Sequence, residues 1–427
     1  MDFTQHQLGP GVRLYLCETD KFKTLTCKAF IQQDLKAREA ASTALVPLLL
    51  RRGSQRFPTT RDIARELEEL YAADFGSDVL KIGERQILEF HFRMVDPALL
   101  PKGEELLRRG LEAFWEIASR PHGNGRFFEP YFEQEKEILL QELEGLVNDK
   151  RAYALVRCTA LMCGEEPFGI YKYGDPETVR SLANQEVYDH YRKLLNDYPL
   201  DIFVVGSRTE QAAEALAGLV QGREAQVVLN APQRVEAGEP RYFEEAMDVQ
   251  QAVLVMGYRT QITYPDEDYY ALLVANGILG GFAHSKLFIN VRERASLAYY
   301  VGSSIEGSKG LLTISAGISG DDQAQAVEII QEQVRDMQEG RISDQELEQT
   351  KRGLISSMNS MNDSASALID RNLIGVVHDE LRTIAGVVEA ISAVTLEGVV
   401  RAMEKVQLDT TYILRSSSQK GAGHGTD

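Results

Sequence analysis

The side chains that most often bind metals or transfer protons are widely dispersed in this sequence. Seven histidines occur in 427 residues, and no two of them are three or four positions apart. Because a helix presents a zinc-binding pair only at such spacings, this chain alone cannot supply a helix-borne zinc pair. The phosphate-loop pattern G-x-x-x-x-G-K-[ST] and the nucleophile pattern G-x-S-x-G are also absent. The histidines are His6, His91, His122, His190, His284, His378 and His424.

The four cysteines indicate reduced thiols rather than disulfides or a metal site. Four are too few to form a disulfide scaffold in a chain of this length. The spacing from Cys158 to Cys163 matches no common zinc-binding pattern.

Composition places the chain among ordinary globular proteins with two or three domains. It carries 46 Lys and Arg against 64 Asp and Glu, a formal net charge of -18, and 44% hydrophobic residues. A strongly acidic surface repels phosphate backbones and anionic lipids, so nucleic acid and membrane surfaces are not expected partners. The first residues show no basic region followed by an apolar one, and no apolar run is long enough to span a bilayer. We therefore expect a cytoplasmic protein.

The two halves of the sequence show a faint similarity to each other, which predicts two copies of one domain. Three pairs of segments are similar, and they follow the same order in both halves. The number of residues that separates the two members of a pair decreases steadily from the first pair to the third. A turn-rich insert at 121–125 has no clear counterpart in the second half. This insert could account for the first decrease in the separation. The pairs are 83–90 with 307–314, 132–136 with 347–351, and 200–205 with 408–413.

Alternation between strand and helix periodicity predicts an α+β fold. Residues 13–16 and 25–30 have the pattern of early strands, and Thr59 is placed to cap a helix whose apolar residues recur at helical spacing. We expect two homologous domains, each a mostly antiparallel sheet with helices packed on one face. The expected boundaries are an N-terminal domain at 1–220, a linker at 221–240, a C-terminal domain at 241–416, and a disordered tail at 417–427.

Several motifs make the chain resemble the pitrilysin/insulinase family of inverted-zincin metallopeptidases, in particular its processing-peptidase branch. In the second half, Gly280-Gly281-Phe282-Ala283-His284-Ser285-Lys286-Leu287-Phe288 and the following Asn290-Val291-Arg292-Glu293-Arg294-Ala295-Ser296-Leu297-Ala298-Tyr299 are similar to the family's most recognisable block. The first half shows similar segments at 49–54, 63–68, 167–169, 174–178, 190–192 and 204–206. The resemblance covers nearly the whole chain, and it implies two homologous α+β domains that form half of a peptidase chamber.

The resemblance also shows what this chain lacks. The family binds zinc through H-x-x-E-H, two histidines one turn apart with a glutamate that activates the zinc-bound water. Those three positions correspond here to Ala44, Pro47 and Leu48, which can neither bind zinc nor move a proton. The family's third ligand, a downstream glutamate, corresponds to Glu133. Because proline is tolerated only near the first turn of a helix, we expect the helix to begin close to Pro47, with Thr43 as its cap.

A second pair of residues in the family block is intact. The resemblance implies that an arginine and a tyrosine seven residues apart reach from the second domain type towards a zinc site in the first, and they correspond to Arg292 and Tyr299. A guanidinium can hold a substrate carbonyl or carboxylate, and a phenol can stabilise the oxyanion of the tetrahedral intermediate. Tyr300, the next residue, should face the opposite side of its strand and serve in packing.

The sequence therefore predicts a zinc-less subunit of a heterodimeric zinc peptidase. A homologous subunit with H-x-x-E-H would bring the zinc, whereas this chain would hold no cofactor and would lend Arg292 and Tyr299. The expected substrates are peptides or small unfolded proteins, and a homodimer is expected where the partner is absent. The alternative is a purely structural scaffold subunit with no part in catalysis. An active homodimeric protease would need a zinc site that the sequence lacks.

Overall fold

A computed structural model describes residues 2–318 and 322–417 of the chain. The residues divide into two compact units, each formed by segments that are separate in sequence. The first unit comprises the chain up to Glu144, Ile170–Ala231 and Met361–Ile384. The second comprises Gly145–Gly169, Pro232–Ser360 and the chain from Ala385 onwards.

Each unit contains one sheet, and each sheet contains a single parallel strand pair. The first sheet has the order β1-β2-β6-β3-β5-β4 with β2 and β6 parallel, and the second has the order β7-β11-β8-β10-β9 with β7 and β11 parallel. The strands are β1 Thr4–Gly9, β2 Val12–Glu18, β3 Thr24–Asp34, β4 Asp74–Ile82, β5 Arg85–Val95, β6 Leu200–Gly206, β7 Arg241–Met247, β8 Ala252–Arg259, β9 Ala298–Glu306, β10 Leu311–Ile318 and β11 Gln407–Ser416.

The two sheets repeat the same topology, as the internal similarity of the sequence predicted. Strands β2, β6, β3, β5 and β4 correspond in order to β7, β11, β8, β10 and β9, and β1 is an additional edge strand. Each pair of similar sequence segments lies at equivalent places: the β4–β5 and β9–β10 turns, helices α4 and α11, and strands β6 and β11. The predicted α+β class, with two mostly antiparallel sheets, is confirmed.

Fourteen α-helices occur in the described part of the chain. They are α1 Ala37–Leu50, α2 Thr60–Glu69, α3 Gly103–Ser119, α4 Glu129–Gly145, α5 Lys150–Met162, α6 Pro176–Ser181, α7 Asn184–Asp197, α8 Thr209–Leu219, α9 Tyr269–Asn276, α10 Gln323–Gln338, α11 Asp344–Ser360, α12 Ala365–Val377, α13 Ile384–Ala393 and α14 Leu396–Glu404. The predicted cap at Thr59 is present, since its side chain accepts a hydrogen bond from the Asp62 amide as part of a capping box. None of these helices is both long and apolar enough to cross a membrane.

The first sheet is covered on both faces. Helices α1, α3, α4, α7 and α8 contribute to the main core on one face, which is the helical layer that the sequence predicted. On the other face, Phe203 stacks on Tyr15 with ring centroids 4.5 Å apart, and Ile369 and Leu373 of α12 join this smaller core. Since β3 lies between two apolar layers, nearly all of its residues are buried.

The second sheet is also covered on both faces. Its main core includes residues of α9, α10, α11, α13 and α14. Helix α5 packs on the opposite face, where Ala154 and Cys158 contact Val253, Val255 and Tyr412. A buried ion-pair network holds the residues that follow α5 against the second sheet. In this network, Glu166 lies 2.6 Å from Arg259 and 2.7 Å from Lys309.

The compact units therefore differ from the consecutive domains 1–220 and 241–416 that the sequence suggested. Residues 145–169 belong to the second unit and residues 361–384 to the first. The physical reason is that each sheet has an apolar second face, which a helix from the other half of the sequence covers. Residues 221–240 contain no helix or strand. The predicted tail lies, apart from Ser417, outside the described residues.

All four cysteines are free and buried, which leads to a prediction about their reactivity. Burial raises the pKa of Cys158 and of Cys163 to about 12, so neither thiol ionises appreciably at neutral pH. We expect a thiol reagent such as 5,5′-dithiobis(2-nitrobenzoate) to label, on average, fewer than one thiol per native protein molecule within minutes. The same protein in denaturant should react at four sites. Rapid labelling of two or more thiols in the native state would contradict this packing.

Candidate functional site

The three degenerate zinc-motif positions lie on α1 in the first unit and belong to its core. Ala44 and Pro47 are buried, and Leu48 is partly buried against the same core. The Pro47 carbonyl accepts a hydrogen bond from Ser77 Oγ at 3.1 Å. These positions therefore serve packing, and they present apolar carbon where the sequence resemblance places the imidazole and carboxylate groups of the family motif.

The predicted start of this helix is wrong. Helix α1 begins at Ala37, so Thr43 is in its middle and Pro47 is in its last turn. Lys36 occupies the cap position without a capping hydrogen bond from its side chain. Proline cannot donate the backbone hydrogen bond to residue 43, but only a few residues of helix follow it, so the disruption is confined to the helix end.

Thr43 takes part in a buried polar network instead of capping. Its Oγ1 lies 2.9 Å from His190 Nε2 and accepts a hydrogen bond from Gln33 Nε2 at 2.8 Å. Burial lowers the pKa of His190 to about 4, so this imidazole is neutral at physiological pH. A neutral histidine bonded to a threonine immediately beside Ala44 is a partly buried, hydrogen-bonded group, and sequence spacing gave no signal for this pairing.

Helix α4 carries the glutamate that corresponds to the family's third ligand. Glu133 is exposed, whereas Glu135 is buried and lies 3.0 Å from Arg52 Nη1, just beyond the end of α1. Two residues span about 200° of an α-helix, so the two side chains leave opposite faces. Burial raises the pKa of Glu135 despite the opposing effect of Arg52. The helical spacing of Phe132, Glu135 and Leu139 was the signal that could have identified Glu135.

These residues do not fit a zinc ion. The motif positions on α1 carry no ligand atoms, and Glu133 points away from the one charged contact between α4 and the end of α1. Within residues 2–318 and 322–417, no group of three or more His, Cys, Asp and Glu side chains could hold a metal. The positions that the sequence resemblance assigns to the zinc motif thus offer no zinc-binding chemistry.

Arg292 lies in the second unit on an unusual backbone segment. Phe288–Arg294 forms a π-helical turn, a conformation that is rare and often occurs at functional sites. The Arg292 guanidinium lies 4.7 Å from the centroid of the Phe288 ring, and its Nε is 3.7 Å from a Glu293 carboxylate oxygen. With 43% of its side chain exposed, it is restrained by the ring while its donors remain accessible.

A tight turn connects this helical segment to the edge strand β9. The amide of Leu297 donates to the Val291 carbonyl at 3.1 Å, and Ser296 has a positive φ of 54°. Left-handed backbone is unfavourable for serine, so the turn is held by its surroundings. Tyr299, the second residue of β9, is 74% exposed, whereas Tyr300 is partly buried under the Arg151 guanidinium at 4.6 Å. Tyr300 therefore has the packing role that strand alternation predicted.

Glycines in the motif and just before it allow close packing around this strand. A Cβ on Gly280 would lie 2.5 Å from the Ser303 amide nitrogen of β9, and one on Gly277 would overlap with Thr350. Ser303 Oγ also donates to Asn276 Oδ1 at 2.7 Å. The loop thus fixes β9 by direct contact between backbones, which explains why this block contains small residues.

Comparison with known proteins identifies the family. The probable inactive metalloprotease YmfF of Bacillus subtilis (strain 168) is 34% identical over 419 residues, which cover 95% of this chain and 96% of that protein. The chain belongs to the peptidase M16 family. The model of the peptidase M16 inactive domain matches residues 181–354, which include the block with Arg292 and Tyr299. The family resemblance inferred from the sequence motifs is confirmed, and this chain is an inactive M16 member.

Solved structures share the fold of this chain. A conserved protein from Enterococcus faecalis V583 has a TM-score of 0.89 at 28% identity, with coverage of 99% of this chain and 100% of that chain. A peptidase M16 inactive domain from Pseudomonas fluorescens has a TM-score of 0.79 at 18% identity, with coverage of 97% and 98%. The two-sheet α+β architecture is therefore the M16 fold.

The apolar character of the α1 positions predicts that the purified chain binds no stoichiometric zinc and hydrolyses no peptide by itself. Ala44, Pro47 and Leu48 offer neither ligands nor a general base. Elemental analysis after gel filtration should find well below 0.1 zinc per chain, with an H-x-x-E-H relative purified in parallel as the control. About one zinc per chain, lost on substitution of Glu133 or Glu135, would overturn this interpretation.

Proposed function

We propose that this M16 member is the non-catalytic subunit of a heterodimeric zinc peptidase. A homologous subunit with H-x-x-E-H supplies the zinc, and this chain completes the chamber and presents Arg292 and Tyr299 to that site. The substrates are peptides or small unfolded proteins, because a closed chamber admits flexible chains and excludes folded ones. Without its partner, the chain forms a homodimer through the same surface.

The exposure of Tyr299 is the observation that carries this proposal. A large aromatic side chain that is 74% exposed contributes little to the core of its own unit. Its hydroxyl can donate a hydrogen bond to the oxyanion that forms when a zinc-bound water attacks a peptide carbonyl. An interface tyrosine of a scaffold would also be exposed, so the loss of the hydroxyl alone in Tyr299→Phe separates the two roles.

Arg292 fits the same role because the orientation of its side chain is restricted. The Phe288 ring and the π-helical turn limit the orientations of its side chain while leaving the guanidinium accessible. A restrained guanidinium loses little entropy when it binds a substrate carbonyl or carboxylate through two parallel donors. We place the complex in the cytoplasm, because four buried, unpaired thiols suit a reducing compartment.

The test requires the native complex, with the partner co-purified on this chain and identified by its H-x-x-E-H sequence. Tyr299→Phe should lower kcat by about 10- to 1000-fold, as expected for the loss of one oxyanion donor. Arg292→Ala should also raise KM, because it removes a contact to bound substrate. Both variants should still form the 1:1 complex on size exclusion, and peptide hydrolysis is measured on the purified complex.

Matched controls are available in the same unit. Tyr242 is 58% exposed on the edge strand β7, and Arg294 follows Arg292 on the same π-helical turn. Tyr242→Phe and Arg294→Ala should leave kcat and KM within about twofold of wild type. Wild-type turnover in both the Tyr299→Phe and Arg292→Ala complexes would instead establish the scaffold alternative, in which this subunit takes no part in catalysis.

A further inference from the structure

A cluster of arginines interrupts the acidic surface of the first unit. Residues 51–61 contain four arginines and residues 117–128 contain two arginines and a histidine, and neither segment contains an acidic residue. In a chain with a net charge of -18, two such acid-free segments are a local reversal of charge. The second segment includes the insert at 121–125, which the proposed peptidase role does not use.

The structure joins these two segments into one surface. The amide of Gln55 donates to the Arg120 carbonyl at 2.9 Å, and the amide of His122 donates to the Gly53 carbonyl at 3.0 Å. Gly123 has a φ of 138°, and a Cβ there would overlap with the Arg126 carbonyl, so the turn requires glycine. We call the surface formed by residues 51–57, 120–128 and the adjoining first turn of α4 the arginine patch.

Most guanidinium groups of the arginine patch are exposed and weakly paired. Within the described part of the chain, no carboxylate lies within ion-pair distance of Arg51 or Arg56. Arg120 and Arg126 have their nearest carboxylates at 3.8 and 3.7 Å, and about two thirds of each side chain is exposed. Arg52 differs, since Glu135 neutralises it. Among the described residues, the patch thus presents two guanidinium groups without an ion-pair partner, Arg51 and Arg56, and two, Arg120 and Arg126, whose ion pairs with Glu116 and Glu129 are long and exposed.

A cluster of aromatic rings lies within the arginine patch. Phe128 is 40% exposed, and its ring contacts His122 and Tyr131 with centroids 5.0 Å away in each case. The Arg52 guanidinium lies 4.6 Å from the Tyr131 centroid. Phe128 contributes apolar surface on the solvent side of this cluster, and exposed aromatic rings on a surface rich in arginine are typical of binding surfaces.

We propose that the arginine patch binds an acidic peptide segment in extended conformation. Carboxylates of the segment pair with Arg56, Arg120 and Arg126, and an apolar side chain packs on Phe128. We choose a peptide because the patch combines guanidinium groups with the exposed ring of Phe128. Carboxylate and apolar side chains can alternate along an extended chain and so match both features. The patch is part of the first unit, so the proposal does not depend on the role of Arg292 and Tyr299.

A binding measurement on the full chain tests this proposal. The probe is a fluorescein-labelled 12-residue peptide with alternating Glu and Phe, followed by fluorescence anisotropy at 50 mM and 300 mM NaCl. We expect saturable binding that weakens at higher salt, because screening reduces attraction between exposed charges. Changing Arg56, Arg120 and Arg126 together to Gln should raise Kd at least about tenfold. Phe128→Ala should raise it by about threefold or more.

The controls distinguish binding at the arginine patch from non-specific attraction to positive charge. They also distinguish a peptide ligand from other anions. Changing Arg65, Arg108 and Arg352 to Gln removes three exposed arginines elsewhere and should leave Kd within about twofold of wild type. The same peptide with Gln in place of Glu should not bind. Equal weakening by both triple variants, or no saturable binding by wild type at 50 mM NaCl, would overturn the proposal. Tighter binding of a 12-nucleotide single strand than of the peptide would also overturn it, in favour of a nucleic-acid surface.

Discussion

Each sheet of this protein has two apolar faces, and the need to cover both of them determines the rest of the structure. The main helical layer covers one face, and one helix from the other half of the sequence covers the second, α12 on the first sheet and α5 on the second. The central strands are consequently buried on both sides, while the outermost strands keep a free edge. Strand β9 is such an edge strand, and it carries Tyr299 into solvent.

The two units have diverged in chemistry while keeping one topology. In the first unit, the positions that the sequence resemblance assigns to the zinc motif lie in or against the core, with Ala44 and Pro47 buried and a neutral His190 bonded to Thr43 beside them. A charged ligand at these places would now lack its metal and would be costly to bury. In the second unit, the side chains of Arg292 and Tyr299 both remain accessible to solvent. The proposed role of this chain in a partner's site rests on this contrast.

The sequence predicted the features that repeat or that follow a period. The internal similarity located equivalent turns, helices and strands, strand alternation assigned Tyr300 to packing, and the capping box at Thr59 was correctly placed. The family motifs led to the M16 assignment, which the comparison with known relatives confirmed.

Features set by tertiary contacts were not predictable. Helix α1 begins without a side-chain cap, so nothing in the sequence indicated a start at Ala37, and the proline rule favoured a later one. The assignment of α5 and α12 to opposite units depends on which sheet face needs cover, and no local pattern shows this. The pairing of Arg52 with Glu135 links segments 83 residues apart, beyond the range of sequence periodicity.

The position of Tyr299 in the assembled complex tests the central claim most directly. The measurement replaces Tyr299 with the photoreactive residue p-benzoylphenylalanine, irradiates the complex with its native partner and a bound peptide, and locates the crosslinks by mass spectrometry. The account predicts crosslinks to the peptide or to residues flanking the partner's H-x-x-E-H helix. Crosslinks confined to this chain, or to partner surfaces remote from that helix, would contradict it.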